Sequence, residues 1–570
     1  MDIKNEVLLE LKKLNLTHDL TNFEKMFVLS TDAKNGDVSL PCFPLAKELR
    51  MAPVQIANTI AEEINSQLGA DSIIEKAEAV NGYLNIFTVK SVVATKIVEE
   101  ILKTQTAFGS ADTYKGKTVV LDYSSVNLAK YMHIGHLKTT IFGLVMKNLC
   151  ERLGYKTVSI NYVGDYGTPF GKMITAFKRW GDREYVEANG VDAVQDLYVK
   201  FNKEAEEDDS LNEEARMWFR KIEEGDPEAT ELSNWIIELC RGEVERLCGE
   251  LGAKFDSWRG EGYYTDKMQP VIDELEAKGL LQISEGATVV DLTEYNLGTA
   301  LIKKSDGTSL YLTRDLAAVE DRYNMYHFDK AIYVTDVSQK LHFQQLFKLV
   351  ELLEKPYAGK LEHLSYGRYS LPTGKISSRM GKQALLKDLL EAAVNKSREV
   401  MEQRGTKVEN TEEVSKKVAL GATSFEVIKY EKVKDTIYDM EASLNFDGET
   451  APYMQYTYAR CCSILEKAGT DVQVGDINYS QITNEQGFEL IKTLNRYQKT
   501  IVEAYEKQEP CLVVRLLMDI AGEFNKFYTV NRIIDNGVVN LNYLAIVKAT
   551  KQIFENGFAV VNIPAISKMW

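Results

Sequence analysis

The sequence predicts an α/β core on a parallel sheet, with an α+β segment before it and an all-α segment after it. Three observations carry this. A buried strand, a helical face and a second strand follow one another in "TVVLDYS", Ile141/Leu144/Val145/Leu149/Leu153 and "KTVSINYV". The pattern returns in "KAIYVTDV" and the apolar face Phe343, Leu346, Phe347 and Val350. From about residue 385 apolar residues keep helical spacing to the end.

In chain order, residues 1–105 form the α+β segment. It opens on the helical stripe Ile3, Val7, Leu8, Leu11 and Leu14, runs through "NGDVSLPCFPLAKELRM" as a turn and a helix, and ends on the strand "GYLNIFTV". "AFGSADTYKGK" is the polar linker out. The core spans 117–385, interrupted by a helical insertion at about 171–290 whose acidic stretch "KEAEEDDSLNEEARMWFRKIEEGD" reads as solvated. "TALIKK-SDG-TSLYLTR" is expected as a hairpin on an Asp-Gly turn. Residues 386–570 form the helical segment.

Composition bounds the function. A chain of 570 residues with 45% hydrophobic content has core enough for three or four domains. Its seven cysteines lack C-x-x-C spacing, which argues for reduced thiols and against a structural zinc. No apolar run nears the roughly 20 residues that cross a bilayer. A net charge of −16 opposes non-specific nucleic-acid binding but leaves room for RNA on local basic patches. A cytoplasmic location is expected.

Two of only six histidines stand at 133 and 136, around Gly135, where a strand gives way to a helix. Their spacing places both rings on one helical face. In an open parallel sheet, ligands bind where helices begin, and helix N-termini favour anions. Gly135 lets backbone approach a flat ligand. A nucleotide phosphate fits this constellation; a metal pair without a third ligand and plain helix-capping histidines are the alternatives.

These residues resemble the class I aminoacyl-tRNA synthetases, and their surroundings resemble the arginyl-tRNA synthetase family. "DYSSVNLAKYMHIGHLKTT", "NYVGDYGTPFG", "FDSWRGEGYY", "SLYLTRDLAAVEDRY", "YHFDKAIYV" and "QKLHFQQLF" fall in that family's order over nearly the whole chain. "GDVSLPCFPLAK" resembles its N-terminal tRNA-binding domain and "APYMQYTYARCCSIL" its helical anticodon-binding domain. The resemblance implies a doubly wound, Rossmann-like catalytic sheet. It also implies the reaction: ATP, as its Mg2+ complex, and L-arginine give arginyl-adenylate, and the arginyl group passes to the 3′-terminal adenosine of tRNA-Arg. The family's members usually need cognate tRNA even for the first step. A monomer is expected.

The resemblance assigns Asp122 and Asp315 to the substrate guanidinium, with Tyr311 as tyrosine partner, and Ser124, Asn127 and Gln339 to the arginine site as well. Burying a guanidinium requires acids, so the assignment is sound chemically. A strand-end turn for Asp122, capping for Asp315 and core packing for Tyr311 are the plain alternatives. ATP is expected on His133, Gly135, His136 and Lys375. "GKISSRMGK" stands where the family has K-M-S-K-S: Lys375 matches its first lysine, Ser378 replaces its second, and Arg379 and Lys382 follow. Departing pyrophosphate needs cations, and Lys130, just ahead of the histidines, matches the family's usual replacement.

Other departures are Val126 and Tyr131 for prolines, Tyr162 and Pro169 for a histidine and a glutamine, and Asp336 and Lys340 beside Gln339. Lys340 threatens the α-amino subsite. Among the last helices, Tyr453, Tyr456, Tyr458 and Arg460 are candidates for anticodon bases, against core packing. Lys429, Lys432 and Lys434 either meet phosphates or form a solvated helix face. The rival readings are another class I synthetase, such as the cysteine enzyme, and a paralogue that binds tRNA without charging it.

Overall fold

Four parallel strands lie in the order Leu361–Tyr366, Lys330–Asp336, Thr118–Asp122, Lys156–Ile160. Strands buried on both faces read as unbroken apolar runs, and Val119, Val120 and Leu121 are buried accordingly. The chain steps from Thr118–Asp122 to its neighbour Lys156–Ile160, then returns to add Lys330–Asp336 on the other side. The winding direction therefore reverses between Thr118–Asp122 and Lys330–Asp336, the place where such sheets bind ligands. The computed structural model describes residues 1–30, 32–69, 71–304, 311–372, 385–405, 408–478 and 484–569.

Helix Ile134–Arg152, hereafter the histidine helix, follows the first of these strands and packs through Leu137, Ile141, Val145 and Leu149. Gly154, just past its end, has φ +92°, the left-handed conformation that glycine adopts readily at a helix C-terminus. Helix Lys340–Leu352 packs against the sheet through Phe343, Leu346 and Val350.

The insertion departs from expectation twice. Its helices Thr168–Trp180, Arg183–Glu204, Ser210–Glu223 and Pro227–Glu250 are not simply solvated, because Ala176, Phe201, Leu211 and Ala215 close a small core between them. Nor is it helical to 290: Leu281–Ser284, Ala287–Asp291 and Thr299–Lys303 form an antiparallel sheet. The expected hairpin after residue 299 is corrected too. Thr299–Lys303 pairs backward with Ala287–Asp291, and Tyr311–Tyr326 is a helix. The alternation in "SLYL" is four letters long, whereas Leu312, Leu316 and Val319 bury a full helical face. The Asp-Gly turn itself lies outside the described residues.

In the N-terminal segment, helices Pro53–Gln67 and Lys90–Thr104 accompany an antiparallel sheet ordered Val28–Leu29, Val38–Pro41, Tyr83–Thr88, Ile74–Val80. Ile56, Ile60, Leu84, Ile86, Val93 and Ile97 are among its buried core residues. Val38–Pro41 is a strand where only a turn was expected, and Leu14 lies beyond the first helix, Ile3–Leu11. Toward the C-terminus run helices Leu386–Gln403, Thr411–Ile428, Ala451–Ala468, Glu485–Lys507, Cys511–Val530 and Leu541–Val561. The chain forms two compact units that are not simple stretches of sequence. One holds Met1–Phe108, Tyr456–Lys499 and Leu516–Asn556, the other Gly109–Gln455, Thr500–Arg515 and Gly557–Trp570.

Candidate active site

At the reversal point opens a cavity of about 440 Å³, lined among others by Asp122, Asn127, Tyr311, Asp315 and Gln339. Five of the six residues expected to hold the amino acid thus share one wall system. Ser124 does not line it: it is buried behind, where its N–H donates to Thr139 Oγ1 at 3.2 Å. Tyr311 is 64% exposed at the rim, so it is no core residue. The helix Tyr311–Tyr326 supplies Tyr311, Asp315, Ala318 and Arg322 at i, i+4, i+7 and i+11, a polar stripe on one face.

The carboxylates of this cavity have protein partners. Asp122 accepts from Arg322 Nη1 at 2.8 Å and from Ser125 Oγ at 2.8 Å, in surroundings nearly closed to solvent. Burial pushes its carboxyl upward, and Arg322 and Ser125 pull against that shift. Asp122 is therefore met by a guanidinium of the chain itself, and it lines the same cavity as Asp315. Asp315 is bonded to His342 Nε2 at 2.7 Å. Glu261 accepts from Arg314 Nη1 at 2.5 Å, yet burial, with Asp315 and Asp165 nearby, pushes it up to about 7 against the pull of Arg314. Sequence reading missed Glu261, Arg322 and His342. The helical stripe would have revealed Arg322, and histidine scarcity His342.

Asp336 has an ordinary task, accepting from the Ser338 N–H at 2.8 Å and so capping the turn that carries Gln339. Lys340 is exposed and is not among the residues lining the cavity.

The histidine pair caps its helix through the Nδ1 atoms, and among the described residues neither Nε2 meets a hydrogen-bond partner. Gly135 N–H donates to His133 Nδ1 at 3.0 Å, and His133 N–H donates to His136 Nδ1 at 3.0 Å. A ring nitrogen that accepts carries no proton, so in the neutral rings the proton sits on Nε2. Burial holds both rings below the usual range, with Lys130 adding to the shift at His133, and His136 falls to about 3. A Cβ at Gly135 would also sit 2.8 Å from His133 Cε1.

Lys130 is exposed and makes no ion pair among the described residues. Tyr131, in place of a proline, donates to Asp192 Oδ1 of the insertion at 2.7 Å. Lys375, Ser378, Arg379 and Lys382 lie outside the described residues. In helix Ala451–Ala468, Tyr458 is buried, whereas Tyr453, Tyr456 and Arg460 are half-buried. Arg460 packs against the rings of Tyr456 and Tyr528, at 4.5 and 5.2 Å from their centroids, and donates to Asn525. Lys429, Lys432 and Lys434 follow the end of helix Thr411–Ile428 and form no helix face. Lys429 pairs with Glu426, Lys432 donates to the Lys507 carbonyl, and Lys434 lies over Tyr430.

Comparison with known proteins now bears on this geometry. The profile of class I tRNA synthetases (R), catalytic domain, matches residues 97–440, that of the arginyl-tRNA synthetase N-terminal domain residues 1–88, and that of the DALR anticodon-binding domain residues 454–569. Arginine–tRNA ligase of Clostridioides difficile (strain 630) is 43% identical over 535 residues, 94% of each chain, and that of Clostridium perfringens (strain 13 / Type A) 40% over 572, the full length of both. In fold, the arginyl-tRNA synthetase structure from Thermus thermophilus gives a TM-score of 0.77 at 22% identity, covering 100% of this chain and 99% of that one. The Plasmodium falciparum structure gives 0.76 at 20%, covering 100% and 98%. The chain belongs to the arginyl-tRNA synthetases, in class I.

Proposed function

We propose that the cavity at the sheet's reversal point binds L-arginine with its guanidinium between Asp315 and Glu261, covered by Tyr311. The observation that carries this is the convergence of Asp315, Tyr311, Asn127 and Gln339 on that one cavity. Asp122 acts through Arg322, fixing the strand end, while Asn127 and Gln339 hold the α-amino end. ATP enters as its magnesium complex, its phosphates at the start of the histidine helix. The arginine α-carboxylate attacks the α-phosphate, the bond to the β-phosphate breaks, and pyrophosphate leaves. His133 and His136 donate Nε2–H bonds to the charge that develops there. Lys375, Lys130 and Arg379 neutralise the leaving group. The arginyl-adenylate then passes its arginyl group to the 3′-terminal adenosine of tRNA-Arg. Tyr453, Tyr456 and Arg460 contact the anticodon.

Domain limits at 1–105, 117–385 and 386–570 belong to this reading, as do a monomeric state and a cytoplasmic location. Among the described residues no helix is long and apolar enough to cross a membrane.

The test is arginine-dependent ATP–pyrophosphate exchange with tRNA present. Asp315→Ala takes away one of the two carboxylates facing a partly buried guanidinium, costing about 3–5 kcal/mol, or roughly two to four decades in kcat/KM for arginine. KM for ATP stays unchanged. A variant within about tenfold of the parent removes Asp315 from the site.

A further inference from the structure

Lys138 lies in the histidine helix, two residues past His136, with 2% of its surface exposed. Among the described residues no other lysine is buried and no carboxylate is within ion-pair distance of this one. Its ammonium donates to the Gly367 carbonyl at 2.7 Å and lies 3.4 Å from both the Lys434 carbonyl and Thr436 Oγ1. The rings of Tyr366 and Tyr369 stand 5.4 and 5.7 Å away. One cation therefore joins three separate stretches of chain: the histidine helix, the segment leaving strand Leu361–Tyr366, and the segment around Thr436.

The crossing is built closely. A Cβ on Gly367 would come 2.5 Å from the Val433 carbonyl oxygen, so only glycine fits there. Gly367 N–H donates to the Lys432 carbonyl, Arg368 N–H to Asp435 Oδ1, Thr436 N–H to the Arg368 carbonyl and Tyr438 N–H to the Ser370 carbonyl. Asp435 and Asp336 act on this ammonium only from beyond ion-pair distance, so its burial is costly, whereas an apolar side chain would fill the space without that cost. What the charge adds is geometry: three oxygen acceptors and two ring faces allow one arrangement of the crossing strands.

Residues 367–372 lead directly into the basic segment 373–384. The far end of that segment is also tied to the histidine region. Leu386 N–H donates to the Met132 carbonyl at 2.8 Å, and Lys387 joins Tyr131 on Asp192 Oδ1. We infer that Lys138 is a positioning residue: it pins the entry of the basic segment to the helix that carries the histidine pair. It thereby fixes the point from which the chain runs on to Lys375. This rests on the proposed roles of the histidines and Lys375. Lys138 itself touches no substrate.

The experiment uses the full-length protein with tRNA in ATP–pyrophosphate exchange. Lys138→Met, Lys138→Arg and Thr436→Val are each made alone and together with Lys375→Ala. Lys138→Met is expected to lower kcat about ten- to a hundredfold with KM for arginine within about twofold. Lys138→Arg, which keeps the charge, recovers at least about half of that loss on a logarithmic scale, and Thr436→Val costs about threefold. With Lys375→Ala already present, neither Lys138→Met nor Thr436→Val adds more than about threefold, because the cation they position is gone. Amide exchange at 367–370 and 432–438 rises in Lys138→Met while the histidine helix keeps its protection. A folded Lys138→Met that is as damaging beside Lys375→Ala as alone, or silent alone, overturns the proposal. If Lys138→Met does not fold, Thr436→Val decides on the same comparison. A Lys375→Ala enzyme at the parental rate defeats the role given to Lys375, and with it this positioning role.

Discussion

On the proposed arginine site, the surroundings of Glu261 set the pH at which substrate binds. Burial raises Glu261 to about 7, and the nearby Asp315 and Asp165 hold it there against Arg314. The free protein therefore keeps a proton that the unfolded chain has released by pH 7. The sign follows: between its ordinary pKa and about 7 the folded state binds more protons, so this group's contribution to stability falls as the pH rises through that window. Arginine acts the other way, because its guanidinium favours the carboxylate. Binding must then release a proton below pH 7, and affinity for arginine should weaken about tenfold between pH 8 and pH 6. Calorimetric titration of arginine at several pH values checks this. Glu261→Gln should bind more weakly and lose the dependence, and a Gln variant with the parental slope would place the titration elsewhere. His136 contributes no such limb, since burial lowers it to about 3, and burial and Lys130 lower His133 as well.

At the scale of elements, the N-terminus of the histidine helix is where structure and chemistry share atoms. Adding a methyl group at Gly135 would press on the His133 ring, break its bond to the Gly135 N–H and turn Nε2–H away. Gly135→Ala should cost about 0.5–2 kcal/mol of stability, as lost caps do. It should also slow activation by far more than that stability change, with arginine affinity intact. Thermal unfolding and exchange kinetics measured together separate the two effects, and equal, small changes in both would leave the cap without a chemical role. The sheet strands and this helix were legible because buried parallel strands and an amphipathic helix leave simple periods. The Tyr311 helix was misread at its start because four alternating letters mimic a strand. Its stripe Tyr311, Asp315, Ala318, Arg322 was present in the letters but is polar, so a search for apolar periods passed it by. Glu261 had no local signal: nothing in "RGEGYY" shows which side chain a distant Arg314 will hold.

For the whole molecule the question is whether the site is complete without RNA. Ser378 stands where the family has a lysine, so the proposed reaction leaves pyrophosphate to Lys375, Lys130 and their basic neighbours in the sequence. A site short of one cation gains most from binding energy supplied elsewhere, which is the logic of induced fit. The bare protein should show negligible arginine-dependent ATP–pyrophosphate exchange, and intact tRNA-Arg should restore it. Deleting everything past residue 385 is not a usable probe of that link. Thr500–Arg515 and Gly557–Trp570 belong to the same compact unit as the parallel sheet, and Tyr505 bonds Tyr155 while Asn562 bonds the Leu251 carbonyl. A point change is better. Arg460 packs against Tyr456 and Tyr528, so Arg460→Ala removes a cation and loosens both rings while leaving the buried Tyr458 in place. The tRNA concentration for half-maximal exchange should rise about tenfold, since stacking contacts contribute about 1–3 kcal/mol per base, and the maximal rate should hold. Parental exchange without tRNA would defeat induced fit and leave the family assignment untouched, whereas a lowered maximum with unchanged half-saturation would move Arg460 from binding to signal transmission.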